Sequence, residues 1–348
     1  MKALILIRMM GVLIGVAMAL WGFRRFRAHL IRRTEFLVLF LFGVSLSSVA
    51  LYPNSINILV SMMALQGEAH GRLIALLILS NMVLWVWFLF HRVSSARMDR
   101  QFDALVRSIA FGSLQVGDRN GIKPITVIIP ALNEAESLRE ILTRMPSQVC
   151  GVDVGVLLVD DGSTDGTADV ATAMGSSAVK NPINRGGGAA LRLGYDVAVA
   201  GGAEIIVTMD ADGQHVPEEI EALVRPILED RWDFVIGSRV LGSHEKDSVV
   251  RIAGVHLFSR LINFLAGTNI SDCSSCYRAF KVDRIRELHL VQDQYYAPEA
   301  IIDAAKKGLR IGEVPITILR RKFGESKKGR NWSYGLRFAR TIIKTWWR

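Results

Sequence analysis

Ile205-Ile206-Val207-Thr208-Met209-Asp210-Ala211-Asp212-Gly213-Gln214-His215 runs from an apolar segment straight into two carboxylates one residue apart. An unbroken apolar run reads as a strand buried on both faces, as in parallel sheets. Ligands of such sheets bind at the carboxyl ends of the strands. Two aspartates in that turn suit a hard divalent cation, and Mg²⁺ is typically held by one or two carboxylates plus substrate phosphates. The same residues also suit a plain turn that caps the next helix. A second occurrence of the pattern upstream favours the ligand site: Val156-Leu157-Leu158-Val159 ends in Asp160-Asp161-Gly162-Ser163.

Outward from these two turns, short apolar runs alternate with helical patterns. Residues 125–129 read as a buried strand closed by Pro130. Residues 134–145 read as an amphipathic helix with Leu138, Ile141 and Leu142 on one face and Asn133 at its N-cap. A second strand spans 152–159, and a helix follows its Asp160-Asp161 turn. Asn184-Arg185-Gly186-Gly187-Gly188 leads into a helix from Ala189 without satisfying the Gly-x-Gly-x-x-Gly dinucleotide spacing. That loop suits either a close approach to phosphates or a tight turn. Residues 217–228 read as a helix and 232–236 as a fifth strand. The alternation predicts an α/β domain with a doubly wound, mostly parallel sheet.

The first 92 residues differ in character. Three apolar segments, 3–21, 36–51 and 73–90, come near the roughly 20 residues that a helix needs to cross hydrocarbon. Arg24, Arg25, Arg27, Arg32 and Arg33 separate the first two segments. The connection 52–71 has no Lys or Arg and only Glu68, while Arg92, Arg97 and Arg100 follow the third. The positive-inside rule then places the N-terminus outside and both the first loop and the C-terminal domain in the cytoplasm. The expectation is an integral protein of the plasma membrane with a transmembrane domain over 1–92. Ala17-Met18-Ala19 also fits a signal-peptide cleavage site, but cutting there would leave an arginine cluster at the new N-terminus. Arg8, inside the first segment, either snorkels to the outer interface or faces another helix. Over 93–122 the expectation is an amphipathic helix, carrying Met98, Phe102, Leu105, Val106 and Ile109, and then a linker.

Charge and cysteine content narrow the function classes. There are 42 Lys plus Arg against 33 Asp plus Glu, a net charge of +9. With arginines flanking apolar segments, the excess fits membrane-surface and phosphate chemistry. No basic helix with interleaved aromatics stands apart from the membrane part, so nucleic acid is not an expected partner. Cys150, Cys273 and Cys276 cannot form a disulfide framework, and Cys273-x-x-Cys276 lacks the second ligand pair of a structural zinc site.

Five motifs recur in an order that carries a resemblance. They are Pro130-Ala131-Leu132-Asn133-Glu134, Val159-Asp160-Asp161-Gly162-Ser163, Asn184-x-Gly186-x-Gly188-x-Ala190-Leu191, Asp210-Ala211-Asp212-Gly213-Gln214-His215 and Gly237-Ser238-Arg239. The chain over 123–330 resembles a family 2 glycosyltransferase with the GT-A nucleotide-sugar fold. Within that family it is similar to the dolichyl- and polyprenyl-phosphate mannose and glucose synthases. Asp272-x-x-Ser275-x-Tyr277-Arg278-Ala279-Phe280, Gly312-Glu313-Val314-Pro315-Ile316 and Arg321-x-x-Gly324-x-Ser326-Lys327 support that branch.

The resemblance implies roles for residues. Pro130, Leu132, Glu134, Asp161, Asp210, Ala211, Asp212, Gln214, Arg239, Arg321 and Lys327 would bind the nucleotide sugar, Glu134 and Asp161 through its base and ribose. Asp210, Asp212 and Gln214 would hold Mg²⁺ or Mn²⁺. Asp212 and Arg239 would be catalytic, and Arg239 with Arg251 would meet the acceptor phosphate. Arginine forks across two phosphate oxygens where lysine acts as a point charge. Three positions depart from the family: Gly187 stands where a lysine is common, Cys276 where a glycine is usual, and Leu132 where many relatives have an aromatic on the base.

The implied reaction moves a sugar from a GDP-mannose- or UDP-glucose-type donor to a polyprenyl or dolichyl phosphate, metal-dependent and inverting. A lipid monophosphate, with its second pKa near 6, is largely ionised and needs no general base. A hydroxyl acceptor would need a carboxylate base, for which Asp272 and Glu299 are candidates. A non-catalytic membrane module that binds a nucleotide sugar is the alternative of a different class. Residues 252–265 read as a helix at the bilayer interface with Arg251 at phosphate depth. Residues 331–348 read as a basic, aromatic interfacial helix with Arg337, Arg340, Lys344 and Arg348 on one face. The expected partners are the donor, the lipid phosphate and the membrane, and the apolar helices leave room for a homo-oligomer.

Overall fold

Four helices precede the first strand in the computed structural model, which describes residues 2–28, 33–63, 70–112, 121–245, 249–322 and 331–348. They are α1 (Lys2–Arg27), α2 (Arg33–Leu51), α3 (Ile56–Met62) and α4 (Gly71–Gly112). The chain divides into two units, 1–99 and 100–348, so α4 contributes to both. Two stretches are long and apolar enough to cross a membrane: Arg8–Arg27 and Gly71–Val93, of mean hydropathy 1.4 and 2.4. Arg8 opens the first, at its end rather than at mid-depth, where a buried cation costs most. The middle apolar segment passes the same test only as a pair, Glu35–Leu51 with Pro53–Met62, bent by 112°. Pro53 lies at the break, where a proline cannot continue the hydrogen-bond ladder. α1 and α2 cross at Gly15 and Gly43, where a Cβ on either would lie 2.5 Å from the other's carbonyl oxygen. Small residues of this kind let helix backbones approach closely. The expected third span and the amphipathic segment prove to be one continuous helix of 42 residues, α4. Its last turns bury Val106 and Ala110 and leave Phe102, Leu105 and Ile109 exposed.

Eight strands follow: β1 (Ile125–Ala131), β2 (Gln148–Val149), β3 (Val152–Asp160), β4 (Ser177–Lys180), β5 (Ile205–Thr208), β6 (Phe234–His244), β7 (Arg278–Lys281) and β8 (Ile311–Ile318). They form one sheet in the order β2-β3-β1-β5-β7-β6-β8, with β4 on β3. β1, β3, β4 and β5 are mutually parallel, as are β6 and β8. β7 runs antiparallel between β5 and β6, and β2 makes a short antiparallel pair with β3, so the sheet is mixed, with four of its seven pairings among the described residues parallel.

Between and after the strands lie α5 (Ala135–Thr143), α6 (Thr167–Ala173), α7 (Gly187–Ala200), α8 (Ile220–Leu228), α9 (Val249–Ala266), α10 (Val282–Ile285), α11 (Tyr296–Lys306) and α12 (Asn331–Trp347). The central strands are largely apolar because helices cover both faces of the sheet. Ile128, Leu157, Val159, Ile206, Phe234 and Phe280 pack against α7, α9, α11 and α12. Their neighbours Val127, Ile129, Leu158, Val207, Val235 and Ala279 pack against α5, α6 and α8. Each valine, leucine, isoleucine or phenylalanine among them contributes about 1.5–3 kcal/mol when fully buried. That two-sided core fixes the strand register, and the register brings the turns after β1, β3 and β5 to one edge.

α9 and α12 are amphipathic in an unusual sense, since their outer faces are also apolar in part. α9 buries Val255, Ser259 and Ile262 and exposes Val250, Leu257 and Phe264, the last at 84%. α12 buries Phe338, Thr341, Ile342 and Thr345 and exposes Leu336, Ile343 and Trp347 beside Arg337, Arg340 and Lys344. Arg348 leaves that basic face and pairs with Glu299 at 3.2 Å and Asp303 at 3.4 Å.

Candidate active site

The turn after β1 is built by the turn after β3. Asn133 adopts φ 53°, a left-handed conformation that asparagine tolerates better than most residues. Its Oδ1 accepts the Thr164 N–H at 2.9 Å, and its own N–H donates to Ser163 Oγ at 2.9 Å. The helix therefore starts one residue later than expected, with Glu134 at the N-cap. Its first donors are met from outside: Glu134 N–H by Thr167 Oγ1 and Ala135 N–H by Asp165 Oδ2, both at 3.1 Å. The Glu134 carboxylate accepts from Ser137 Oγ at 3.2 Å and lies 3.5 Å from Arg321 Nη2. β1 runs through Pro130 to Ala131 rather than stopping before the proline, and Leu132 follows the strand; Pro130 and Leu132 are both half-buried at the same edge.

At the end of β5 the Asp-Ala-Asp turn is braced by a histidine absent from the predicted site residues. The Asp210 N–H points to His215 Nδ1 at 3.2 Å, and His215 stacks on Tyr277 with ring centroids 4.8 Å apart. Tyr277 in turn donates to the Val216 carbonyl at 2.9 Å. Asp212 Oδ1 accepts the Gln214 N–H at 3.1 Å, and Oδ2 accepts from Arg321 Nη2 at 2.9 Å. Arg321 thus bridges Glu134 and Asp212, joining three of the predicted residues in one half-buried cluster. Ala211 is buried between the two aspartates. Gln214 turns its amide nitrogen to the Leu319 carbonyl at 3.1 Å, which ties the turn to the end of β8. Lys327 lies outside the described residues, as do Gly324 and Ser326.

Asp210 and Asp212 offer hard oxygen donors one residue apart, the chemistry that Mg²⁺ or Mn²⁺ prefers. Among the described residues no group of three His, Cys, Asp or Glu side chains could hold a metal ion by itself. Such a donor set suits a cation that takes its remaining ligands from phosphates and water, so the residues fit the ion.

Asp161 is engaged differently. It is buried, and its carboxylate accepts from Asn181 Nδ2 at 2.9 Å, from the Arg185 N–H at 3.1 Å and from the Gly186 N–H at 2.6 Å. An ionised carboxylate has about four acceptor positions, and protein donors meet most of them here. Its evident work in this structure is to anchor the glycine-rich loop. That loop needs glycine: Gly186 has φ 95°, and a Cβ at Gly188 would sit 2.1 Å from the Gln292 carbonyl oxygen. Gly188 also donates its N–H to the Asp293 carbonyl at 2.8 Å.

Arg239 and Asp272 form a buried pair, with Nε to Oδ2 at 2.7 Å. Asp272 Oδ1 also accepts from the Ser274 N–H, Ser274 Oγ and the Ser275 N–H, at 3.1, 3.2 and 3.1 Å. Burial alone would raise its pKa, but the Arg239 charge and these hydrogen bonds hold the carboxyl below its usual range. Glu299 is fully buried and accepts the Val291 and Gln292 N–H groups besides Arg348 Nη1. Both candidate bases are therefore committed to protein donors. Arg251 is half-buried in the first turn of α9.

The segment from Asp272 to Arg278 connects the arginine pair with the aspartate turn. Thr208 Oγ1, at the end of β5, donates to the Cys276 carbonyl at 2.7 Å. The Tyr296 hydroxyl donates to Cys276 Sγ at 3.1 Å. Burial, then Cys276 and Asp210 nearby, push that phenol well above its ordinary pKa, so it stays protonated. Neither Tyr296 nor Cys276 stood among the predicted site residues, and only the departure at Cys276 pointed toward them.

Residues 126–289 match the profile of Glycosyl transferase family 2. The chain is 33% identical over 218 residues to the undecaprenyl-phosphate mannosyltransferase of Micrococcus luteus, covering 58% of this chain and 86% of that protein. The chain belongs to that family. A further relative is the UDP-N-acetylglucosamine–dolichyl-phosphate N-acetylglucosaminyltransferase of Methanococcus voltae, 33% identical over 216 residues, 56% of this chain and 85% of that one. The fold of the glycosyltransferase is also that of glucosyl-3-phosphoglycerate synthase from Mycobacterium tuberculosis, solved with Mn²⁺, UDP-glucose and phosphoglyceric acid. That match has a TM-score of 0.53 at 20% identity over 67% of this chain and 84% of the other. Residues 126–289 thus carry a GT-A-like α/β domain, and the enzyme is a glycosyltransferase preceded by apolar helices fit to span a membrane.

Proposed function

We propose that this glycosyltransferase moves a hexose from a nucleotide diphosphosugar to a polyprenyl phosphate at the cytoplasmic face of the plasma membrane. Glu134 and Leu132 would meet the base of the donor, and Arg321 and Lys327 its diphosphate. The glycine-rich loop that opens α7 runs along the same phosphates, where a helix N-terminus favours negative charge. Asp210 and Asp212 would hold the divalent cation, which when bound neutralises the departing diphosphate. An acceptor phosphate oxygen bonds to the anomeric carbon as the bond to the diphosphate breaks, and the nucleoside diphosphate leaves. Attack from the opposite side inverts the anomeric centre.

The observation that carries this reading is the engagement of Asp272 and Glu299. A hydroxyl acceptor must lose its proton to a base, whereas an ionised phosphate need not. Of the two carboxylates nominated for that task, Asp272 spends its lone pairs on Arg239, Ser274 and Ser275, and Glu299 on residues 291, 292 and 348. The relatives named for undecaprenyl and dolichyl phosphate support the same acceptor. Leu257 and Phe264 on α9, and Leu336, Ile343 and Trp347 beside the cations of α12, suit a seat on an anionic leaflet with Arg251 at phosphate depth. In the membrane part we assign three spans, the bent pair being one, with a cytoplasmic arginine loop between the first two.

Purified protein in detergent with Mg²⁺ or Mn²⁺, undecaprenyl phosphate and a panel of labelled nucleotide sugars tests the proposal. The label is expected in the lipid phase as a hexosyl phosphate of inverted configuration. Transfer to a lipid hydroxyl, or no transfer from any donor, would overturn it.

A further inference from the structure

The last turns of α4 meet the glycine-rich loop through one carboxylate. Asp103 Oδ1 accepts from Arg185 Nη1 at 2.5 Å, across 82 residues of sequence, and from Arg192 Nη2 at 3.0 Å. Its Oδ2 lies 3.1 Å from Arg107 Nε. The Arg185 guanidinium also sits over the Phe102 ring, 5.7 Å from its centroid. Arg185 is the residue whose N–H, with that of Gly186, is held by Asp161. Arg192 donates to Asp293 Oδ1 at 2.5 Å and to the Gln292 carbonyl at 3.0 Å, the two residues against which Gly188 packs. The side chains of Arg185 and Arg192 are only 11% and 8% exposed. Two guanidinium groups that share one carboxylate oxygen repel each other at short range unless an anion stands between them. Asp103 is one such anion, and Asp293, 2.5 Å from Arg192 Nη2 and 3.8 Å from Arg185 Nη2, is the second.

We infer that Asp103 is a positioning residue for the donor site. It holds Arg185 and Arg192 together and thereby fixes residues 184–188 in the shape that receives the donor diphosphate. The inference rests on the donor-site reading above. It also gives the end of α4, which reads in sequence as a connecting helix, a direct part in the donor site.

The test uses the full chain in detergent, with UDP-glucose and GDP-mannose in the presence of Mn²⁺ as probes. Asp103→Ala should raise the KM for the accepted sugar about tenfold, the loss of one charge-assisted contact, while the KM for undecaprenyl phosphate stays unchanged. Asp103→Glu should recover part of the loss. In combination with Arg185→Gln, Asp103→Ala should cost little more than the worse single variant, because both act through one contact. Hydrogen exchange at the amides of Arg185 and Gly186 should accelerate in Asp103→Ala even without donor. That readout separates the two ideas: if the wild type binds neither sugar, the donor reading fails while amide exchange still decides whether Asp103 holds the loop. Where the alanine variant does not fold, Asp103→Asn keeps the shape without the charge and serves the same test. Unchanged exchange at 185–186, or equal rises in the KM for both substrates, overturns the inference.

Discussion

Replacing Asp272 by asparagine separates a structural role from a catalytic one. The carboxylate is fully buried, 2.7 Å from Arg239 Nε, and accepts three further bonds from Ser274 and Ser275. Asparagine keeps the shape, removes the charge and turns one acceptor into a donor that faces N–H groups. Arg239, itself buried, then loses the charge of Asp272. Breaking one side of a buried pair costs about 3–5 kcal/mol. For a unit of this size each kcal/mol moves the melting temperature by about 2–4 °C, so Asp272→Asn should melt about 6–20 °C below the wild type. Thermal unfolding of the full chain in detergent, followed by intrinsic fluorescence, measures the difference. The pH dependence follows from the depressed pKa of Asp272. Its stabilising contribution is complete above the unfolded carboxylate pKa of about 3.9 and is lost as pH falls through the lower folded value. The gap between wild type and variant should therefore be constant at neutral pH and close only below about pH 4. An Asp272→Asn variant that melts with the wild type yet has lost turnover would refute the structural assignment and make Asp272 a base.

Glu299→Gln should lower the melting temperature through the 291–292 turn but keep most of its kcat at permissive temperature; an inactive yet stable variant would point to a hydroxyl acceptor. Asp212→Asn should abolish transfer without unfolding the protein, and EDTA should do the same to the wild type; full turnover in either case removes the metal assignment. Arg251→Ala should raise the KM for undecaprenyl phosphate roughly tenfold to a hundredfold and leave that for the donor unchanged, with Arg251→Lys intermediate because a point charge replaces a fork. A Ser61→Cys probe in a cysteine-free background should label from outside the cell; labelling from the cytoplasmic side alone defeats the three-span topology.

The sheet was legible where both faces are buried, and lost where other forces set the strand. β1, β3 and β5 announce themselves as largely apolar runs, interrupted only by Thr126, Asp153 and Thr208, that lead into Ala131, Asp160 and the Asp210 turn. β7 is four residues beginning with Arg278, whose guanidinium is buried by donating to the carbonyls of Ser275 and Ala297. No periodicity marks such a strand. β8 includes Gly312 and Pro315, composition that argues against a strand until its pairing with β6 is known. The continuity of α4 was hidden because the sequence changes from wholly apolar to amphipathic at Val93 while the backbone does not change at all.

Within the site, local motifs do not tell how each carboxylate is spent. Glu134, Asp212 and Arg321, which the resemblance assigns to base, metal and phosphate, meet in one cluster, over a separation of 109 residues between the last two. Asp161, by contrast, reads in sequence like a second ligand-binding acid, yet the return of β4 brings Asn181, Arg185 and Gly186 onto it. Asp103, Asp161, Asp272 and Glu299 share one physical logic: each accepts from several basic or N–H groups in a buried or half-buried setting, where losing a partner costs kilocalories. Asp103 and Asp272 are poor proton acceptors, because, against the upward push of burial, the arginine charges and hydrogen bonds around them hold their carboxyls below the usual range. Under the proposed reading, these acids are committed to structure while Asp210 and Asp212 stand at the strand end where ligands of such sheets bind, and the acceptor arrives already ionised.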